Sequence, residues 1–365
     1  MTTRIRRMIA RTMFAGAIVL SADAHGQAQS VTDGRQPLDV ARILAARYPT
    51  TASMSYIPAV AWGGSLRLAA LTGEARWLEK PREDMAPFLV GEQPTITEPH
   101  VLTRLAGHLA FSDLARPAEG RDGDERAGGL ARSAADLILP HEVDEVIRFG
   151  RGWTDDMFMA TSLLAREAAR TGDVRYAAAI GPLLTTYAGR LQRPDGLFVH
   201  AVDGPYAWGR GNGFAALGLV EALTHLPASW SDREEVLEIY RHQMSALAEH
   251  QSDDGSWRQV VDEPTSYREL TVTALAVTAM ARGVRMGWLD STAFLPIIER
   301  GWQAVLSRVA EDGTLLDVCA STGAGTTLEY YLERPIVNGA DDRGGALVLL
   351  AALEMEELGP SLSRR

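Results

Sequence analysis

The sequence predicts an all-α protein, a six-hairpin toroid of the (α/α)6 barrel type. Three observations carry that expectation. Apolar residues recur three and four positions apart through Ala/Leu/Arg-rich segments, which is the spacing of one helix face. Asp-Gly pairs recur at 195, 254 and 312, 59 and then 58 residues apart. No segment after residue 30 shows sustained strand-like alternation.

In chain order, the helical pattern falls at 38–47, 58–71, 75–88, 98–116, 127–139, 154–170, 174–190, 211–225, 232–250, 269–285, 291–309 and 342–357. Each repeated Asp-Gly follows a long helical run, as Asp195-Gly196, Asp254-Gly255 and Asp312-Gly313. Gly accepts positive φ there and Asp closes the turn through its side chain. A second echo pairs Thr72-Gly73-Glu74 with Thr171-Gly172-Asp173, where Gly ends one helix and an acid starts the next. A unit of about 58 residues holding two helices is a helical hairpin, and about six such units fill the chain. Open helical solenoids use shorter repeats, roughly 33 to 47 residues, so a closed double ring is the expected architecture.

Charge and composition restrict the partners. The chain has 365 residues, a formal charge of −11 and a 46% hydrophobic fraction. This balance excludes a nucleic-acid partner, which needs a concentrated basic face. Residues 1–24 carry Arg4, Arg6, Arg7 and Arg11, then an apolar run at 12–20, then Ala22-Asp23-Ala24. That is the pattern of an export signal, so a periplasmic or secreted protein with one catalytic domain over 25–365 is expected. The apolar run is too short to span a bilayer, and no membrane anchor is expected. Cys319 is the only cysteine and is expected to be a small buried side chain.

Functional residues in a toroid are sought where inner helices begin, since long loops gather there. Trp153-Thr154-Asp155-Asp156 opens one such helix. Two acids in a first turn suit the helix dipole and capping. Adjacent residues diverge by about 100°, so one acid can still face the cavity with Met159. Burial beside Trp153 would raise that carboxyl toward the range of a general acid, and the dipole would lower it. Trp208-Gly209-Arg210-Gly211-Asn212-Gly213 sets a cation beside an aromatic ring, which suits a carboxylate-bearing sugar. Here too a plain surface turn is the alternative. His200 follows the first Asp-Gly turn, and Glu269 opens another inner helix as either a cap or a site residue. The histidines at 100, 108, 141, 225, 242 and 250 show no metal-ligand spacing, so neither metal nor cofactor is expected. There is no Gly-x-Ser-x-Gly elbow.

Together these stretches resemble the unsaturated uronyl hydrolases of glycoside hydrolase family 105, relatives of the family 88 unsaturated glucuronyl hydrolases. The likeness rests on Trp153-Thr154-Asp155-Asp156-Met157-Phe158-Met159, Asp195-Gly196-Leu197-Phe198, Trp208-Gly209-Arg210-Gly211-Asn212-Gly213, Asp254-Gly255-Ser256-Trp257, Glu269 with Thr271 and Thr273, and the closing segment from Gly344. The resemblance implies an (α/α)6 barrel that hydrates the double bond of a 4,5-unsaturated uronide, most specifically an unsaturated galacturonyl-rhamnose. By motif position Asp155 is the catalytic acid and Asp156 the cap. Trp153, Met159, His200, Trp208, Arg210, Asn212 and Glu269 line the substrate.

The first third departs from the family pattern, which has a second aspartate on an early inner helix. The nearest candidates are Glu98 and His100, with first-turn capping as the alternative. Two rival functions stay open: an inverting glycosidase on saturated chains, with Glu98 or Glu269 as the second carboxyl, and a glycan-binding toroid without turnover.

Overall fold

The computed structural model describes residues 34–117, 122–142 and 145–362. The expected leader, 1–24, lies outside them. Six helical stretches form an inner ring: α2 (Tyr56–Thr72), the broken pair α4 (Leu102–Leu105) and α5 (Leu109–Ala115), α7 (Thr154–Thr171), α9 (Gly209–His225), α11 (Leu270–Arg285) and α14 (Asp342–Leu362). Each packs on the next, and α14 returns to α2 to close the circle. Outside run α1 (Pro37–Arg47), α3 (Glu79–Leu89), α6 (Glu125–Ile138), α8 (Val174–Leu191), α10 (Arg233–Glu249) and α12 (Ser291–Leu306). The fold is the expected (α/α)6 barrel.

Burial follows ring position. The inner α11 buries every residue from Leu270 to Val284, as a helix enclosed on all sides must. The outer α12 buries one face, including Ile298, Trp302, Val305 and Leu306. The inner ring is tight because small residues sit at its contacts. A Cβ on Gly218 would come within 2.4 Å of the Met157 carbonyl oxygen, so α9 and α7 touch backbone to backbone there.

The repeated turns form as expected. Gly196, Gly255 and Gly313 have φ of 94°, 85° and 80°. The carboxylates of Asp195, Asp254 and Asp312 accept from the N–H two residues on, at 3.1, 3.1 and 2.9 Å. Gly73 and Gly172 end their helices in the left-handed conformation.

Three features differ from expectation. The helix expected over 98–116 is broken: a 3-10 turn at 106–108 separates α4 from α5. A Cβ on Gly107 would sit 2.8 Å from the Ser55 backbone nitrogen, so the entry to α2 occupies the groove a regular helix would fill. Two small antiparallel sheets are present, β1 (Trp257–Arg258) with β2 (Arg268–Glu269), and β3 (Leu315–Cys319) with β4 (Ile336–Gly339). A short helix, α13 (Leu328–Leu332), lies in the long connection before α14.

Inner and outer helices alternate along the chain, so the inner helices run parallel and their first turns share one end of the barrel. Their C-terminal halves share the other. There Arg67, Asp113, Arg166, Glu221, Arg282 and Glu354, one from each inner stretch, alternate in sign. Arg282 lies 2.8 Å from Glu221 and 2.6 Å from Glu354, Arg67 2.7 Å from Glu354, and Arg166 3.0 Å from Asp113 while also pairing with Glu221.

Candidate active site

The adjacent acids of α7 diverge as helical geometry requires. Asp156, the third helical residue, turns outward and reaches back over the helix start. One of its carboxyl oxygens accepts from the N–H groups of Arg151 (2.7 Å), Gly152 (2.8 Å) and Trp153 (3.2 Å), and from the Tyr187 hydroxyl (2.9 Å). This is the acid's half of a capping box, made through the Trp153 N–H and extended by three more donors. Burial pushes Asp156 up to about 6 against the pull of those donors.

Asp155 turns the other way. Its side chain is 21% exposed, and its Oδ2 lies 3.3 Å from Nε2 of the fully buried His200. The contact is long and poorly aligned, and neither atom has another partner among the described residues. Since Oδ2 itself is buried, the exposure of the side chain falls on its remaining atoms. His200 is held between Trp153 and Trp208, with ring centroids 5.2 and 4.5 Å away. Its Nδ1 is 2.9 Å from the Tyr331 hydroxyl.

Several expected contact residues serve the protein rather than the cavity. Asn212 is fully buried, accepting from the Phe198 N–H and donating to the Phe198 and Trp208 carbonyls. It fixes the turn that presents His200. Met159 is a core residue, 1% exposed. Glu269 is the N-cap of α11, accepting from the Thr271 and Val272 N–H groups, the Thr271 hydroxyl and the Cys319 N–H. It has no exposed surface. Arg210 stacks over Trp208 at 5.0 Å but is also buried, donating to the Cys319 and Ala320 carbonyls at 2.8 Å each. Its charge stays close to Asp155 and Tyr56. Glu98 is 77% exposed and turned toward His100 at 3.3 Å, and His100 packs on Phe149.

Residues without a motif complete the site. Tyr56, at the start of α2, is raised by burial and has the Arg343 guanidinium beside its hydroxyl, with Arg210 and Asp155 within electrostatic reach. Arg343, in the first turn of α14, donates weakly to the Cys319 carbonyl (3.4 Å), stands 3.8 Å from Asp341, and is 20% exposed. Arg343 and Asp155 both act on the Tyr56 hydroxyl. The segment 320–327 leans over Trp153, where a Cβ on Gly323 would be 3.7 Å from the indole. The histidine and carboxyl were legible as residue types. The tyrosines and Arg343 were not, because only ring closure brings the 320–343 segment to α2 and α7.

A cavity of about 420 Å³ at the opposite end of the barrel is a poorer place for chemistry. It is lined by the ring of alternating charges, whose members are already bound to one another.

The comparisons with known proteins bear on the family and the fold. The model of Glycosyl Hydrolase Family 88 matches residues 34–358. The chain belongs to that family. Among curated relatives, an unsaturated 3S-rhamnoglycuronyl hydrolase of Alteromonas sp. (strain LOR) is 28% identical over 173 residues, 44% of this chain and 42% of the relative. An unsaturated rhamnogalacturonyl hydrolase of Bacillus subtilis is 30% identical over 154 residues, 40% of this chain and 42% of the relative. The matched stretch thus spans less than half of those relatives. A structure described as a possible member of family 105, from Salmonella enterica, has a TM-score of 0.75 at 17% identity, covering 87% of this chain and 93% of that one. The unsaturated glucuronyl hydrolase of Bacillus sp. GL1 gives 0.62 at 17% identity, over 88% and 95%. At such identities the structures show the shared fold.

Proposed function

We propose that this protein removes a 4,5-unsaturated uronic acid from the non-reducing end of lyase-generated oligosaccharides by hydrating the enol-ether double bond, with Asp155 as the acid. The observation that carries the reading is the contrast among carboxyls at the mouth of the ring. Asp155 keeps 21% of its side chain exposed beside His200, while Asp156 and Glu269 are withdrawn into caps. One acid suffices for this chemistry. Asp155 gives its proton to C4, the π electrons form the new C–H bond, and positive charge spreads over C5 and the ring oxygen. The carboxylate left behind takes a proton from the water that adds at C5. The hemiketal then opens and releases the next sugar. In this reading Arg343 and the Tyr56 hydroxyl meet the uronate carboxylate, with the Arg210 charge behind them. Trp153 supplies a sugar-stacking face. Two relatives are named for unsaturated substrates containing rhamnose units, which favours rhamnose as the aglycone.

The inverting-glycosidase reading loses support, because it needs a second accessible carboxyl across the cavity. Glu269 is closed off and Glu98 is solvated. The test is direct. Purified protein incubated with unsaturated galacturonyl-rhamnose should erase the ultraviolet absorbance of the double bond and leave saturated oligosaccharides intact. Binding without any loss of absorbance, across several uronide classes, would establish the non-catalytic reading instead. Export through residues 1–24 is part of the proposal, and a mature chain beginning at His25 in the periplasm or medium would support it.

A further inference from the structure

The buried surroundings of His200 carry information that the proposed chemistry does not use. Its ring has two polar neighbours among the described residues: Asp155 Oδ2 at Nε2, 3.3 Å away, and the Tyr331 hydroxyl at Nδ1, 2.9 Å away. Tyr331 comes from α13, 131 positions along the chain, and is fully buried. Its hydroxyl oxygen accepts from the Gly325 N–H at 3.2 Å. It is seated where a Cβ on Gly204 would come within 2.6 Å. Room for that hydroxyl has been made on one side, and a donor supplied on another.

These contacts fix proton directions. A phenol oxygen that accepts from Gly325 has its own proton to place, and a buried donor left unpaired is costly. The available acceptor is His200 Nδ1. If Nδ1 accepts, the proton of a neutral imidazole is on Nε2, the atom facing Asp155.

We propose that Tyr331 is a positioning residue, which holds His200 as the Nε2–H tautomer so that Asp155 accepts on Oδ2 and carries its reactive proton on Oδ1. The inference rests on Asp155 being the acid of the proposed hydration. It explains how one carboxyl can be both supported and available. With Oδ2 accepting from His200, Oδ1–H breaks as the C4–H bond forms, and Oδ1 then receives the proton of the attacking water. His200 neither gains nor loses a proton. Other titratable or charged groups around the pair are Tyr330, Tyr206 and Asp203 beside Tyr331, Asp156 next to Asp155, and Tyr56 and Arg210 across the pocket. None of them bonds to an imidazole nitrogen.

The test uses the full chain labelled with 15N-histidine, with the His200 resonances assigned by comparison with His200→Gln. The wild type should show a bare Nδ1 and a protonated Nε2 at neutral pH. Tyr331→Phe should lose that preference, with a kcat about ten-fold lower or more and KM nearly unchanged. A protonated Nδ1 in the wild type overturns the inference outright, even if Tyr331→Phe fails to fold. So does a folded Tyr331→Phe with unchanged tautomer and unchanged kcat. The tautomer is read without turnover, so its presence in a protein that does not hydrate uronides would sink the proposed function and leave the positioning role standing.

Discussion

Asp155 and Asp156 show how far one residue step on a helix separates chemistry from structure. Both are first-turn acids, and the sequence placed them where the dipole favours negative charge. That placement could not rank burial against hydrogen bonding, because Tyr187 and His200 arrive from other segments. Burial wins at Asp156, whose folded value is about 6 against an ordinary 3.8. For an acid raised on folding, the stabilising contribution is complete below the unfolded value and is lost as pH rises through the folded one. Wild type should therefore lose up to about 3 kcal/mol relative to Asp156→Asn between pH 4 and 7, read by urea unfolding at the two pH values. A wild type that gains on Asp156→Asn over that range would show that the four donors outweigh burial. Glu269 was legible only as a cap or a site residue at equal odds. The structure decides for the cap, and Glu269→Ala should cost about 1–3 kcal/mol by orphaning the buried Cys319, Thr271 and Val272 donors.

Among the elements, the long periodic helices were readable because burial of a 3.6-residue stripe dictates them. The three Asp-Gly turns were readable because their backbone needs glycine. Gly255 is the most constrained of these: its φ is 85° and a Cβ there would come within 2.2 Å of the Arg300 carbonyl oxygen. Gly255→Ala should lower the melting temperature markedly, by the equivalent of about 2 kcal/mol or more, whereas Gly129→Ala, in open space on α6, should be neutral or slightly stabilising. The small sheets were not legible, since strands of two to five residues give period-two alternation too little length to show. Nor was the break between α4 and α5, which is set by the Met54–Ser55 backbone lying against Gly107. Local sequence reports local periodicity, and these features are made by contact between distant segments.

At the scale of the whole molecule, the barrel separates two electrostatic ends. An acidic protein, −11 overall, can still attract an anionic sugar because the N-termini of its inner helices converge on the site and carry partial positive charge. Their C-terminal halves are tied by the alternating ring of Arg67, Asp113, Arg166, Glu221, Arg282 and Glu354. At Glu354 burial pushes the carboxyl up, but Arg282, Arg67 and Arg285 outweigh it and hold it at about 2. Its contribution is present above the ordinary value of 4.5 and is lost as pH falls through about 2. Glu354→Gln should cost about 3–5 kcal/mol, as breaking one side of a buried pair does, while leaving KM for an unsaturated uronide unchanged. A changed KM would mean that the two ends communicate. In the proposed reaction Asp155 delivers the proton that starts hydration. The most direct check follows double-bond absorbance of unsaturated galacturonyl-rhamnose with wild type and Asp155→Asn, alongside their melting curves. Loss should be rapid with wild type and slower by a factor of about 10²–10⁴ with Asp155→Asn, and the melting curves should superimpose. Equal rates from the two proteins would contradict that role for Asp155.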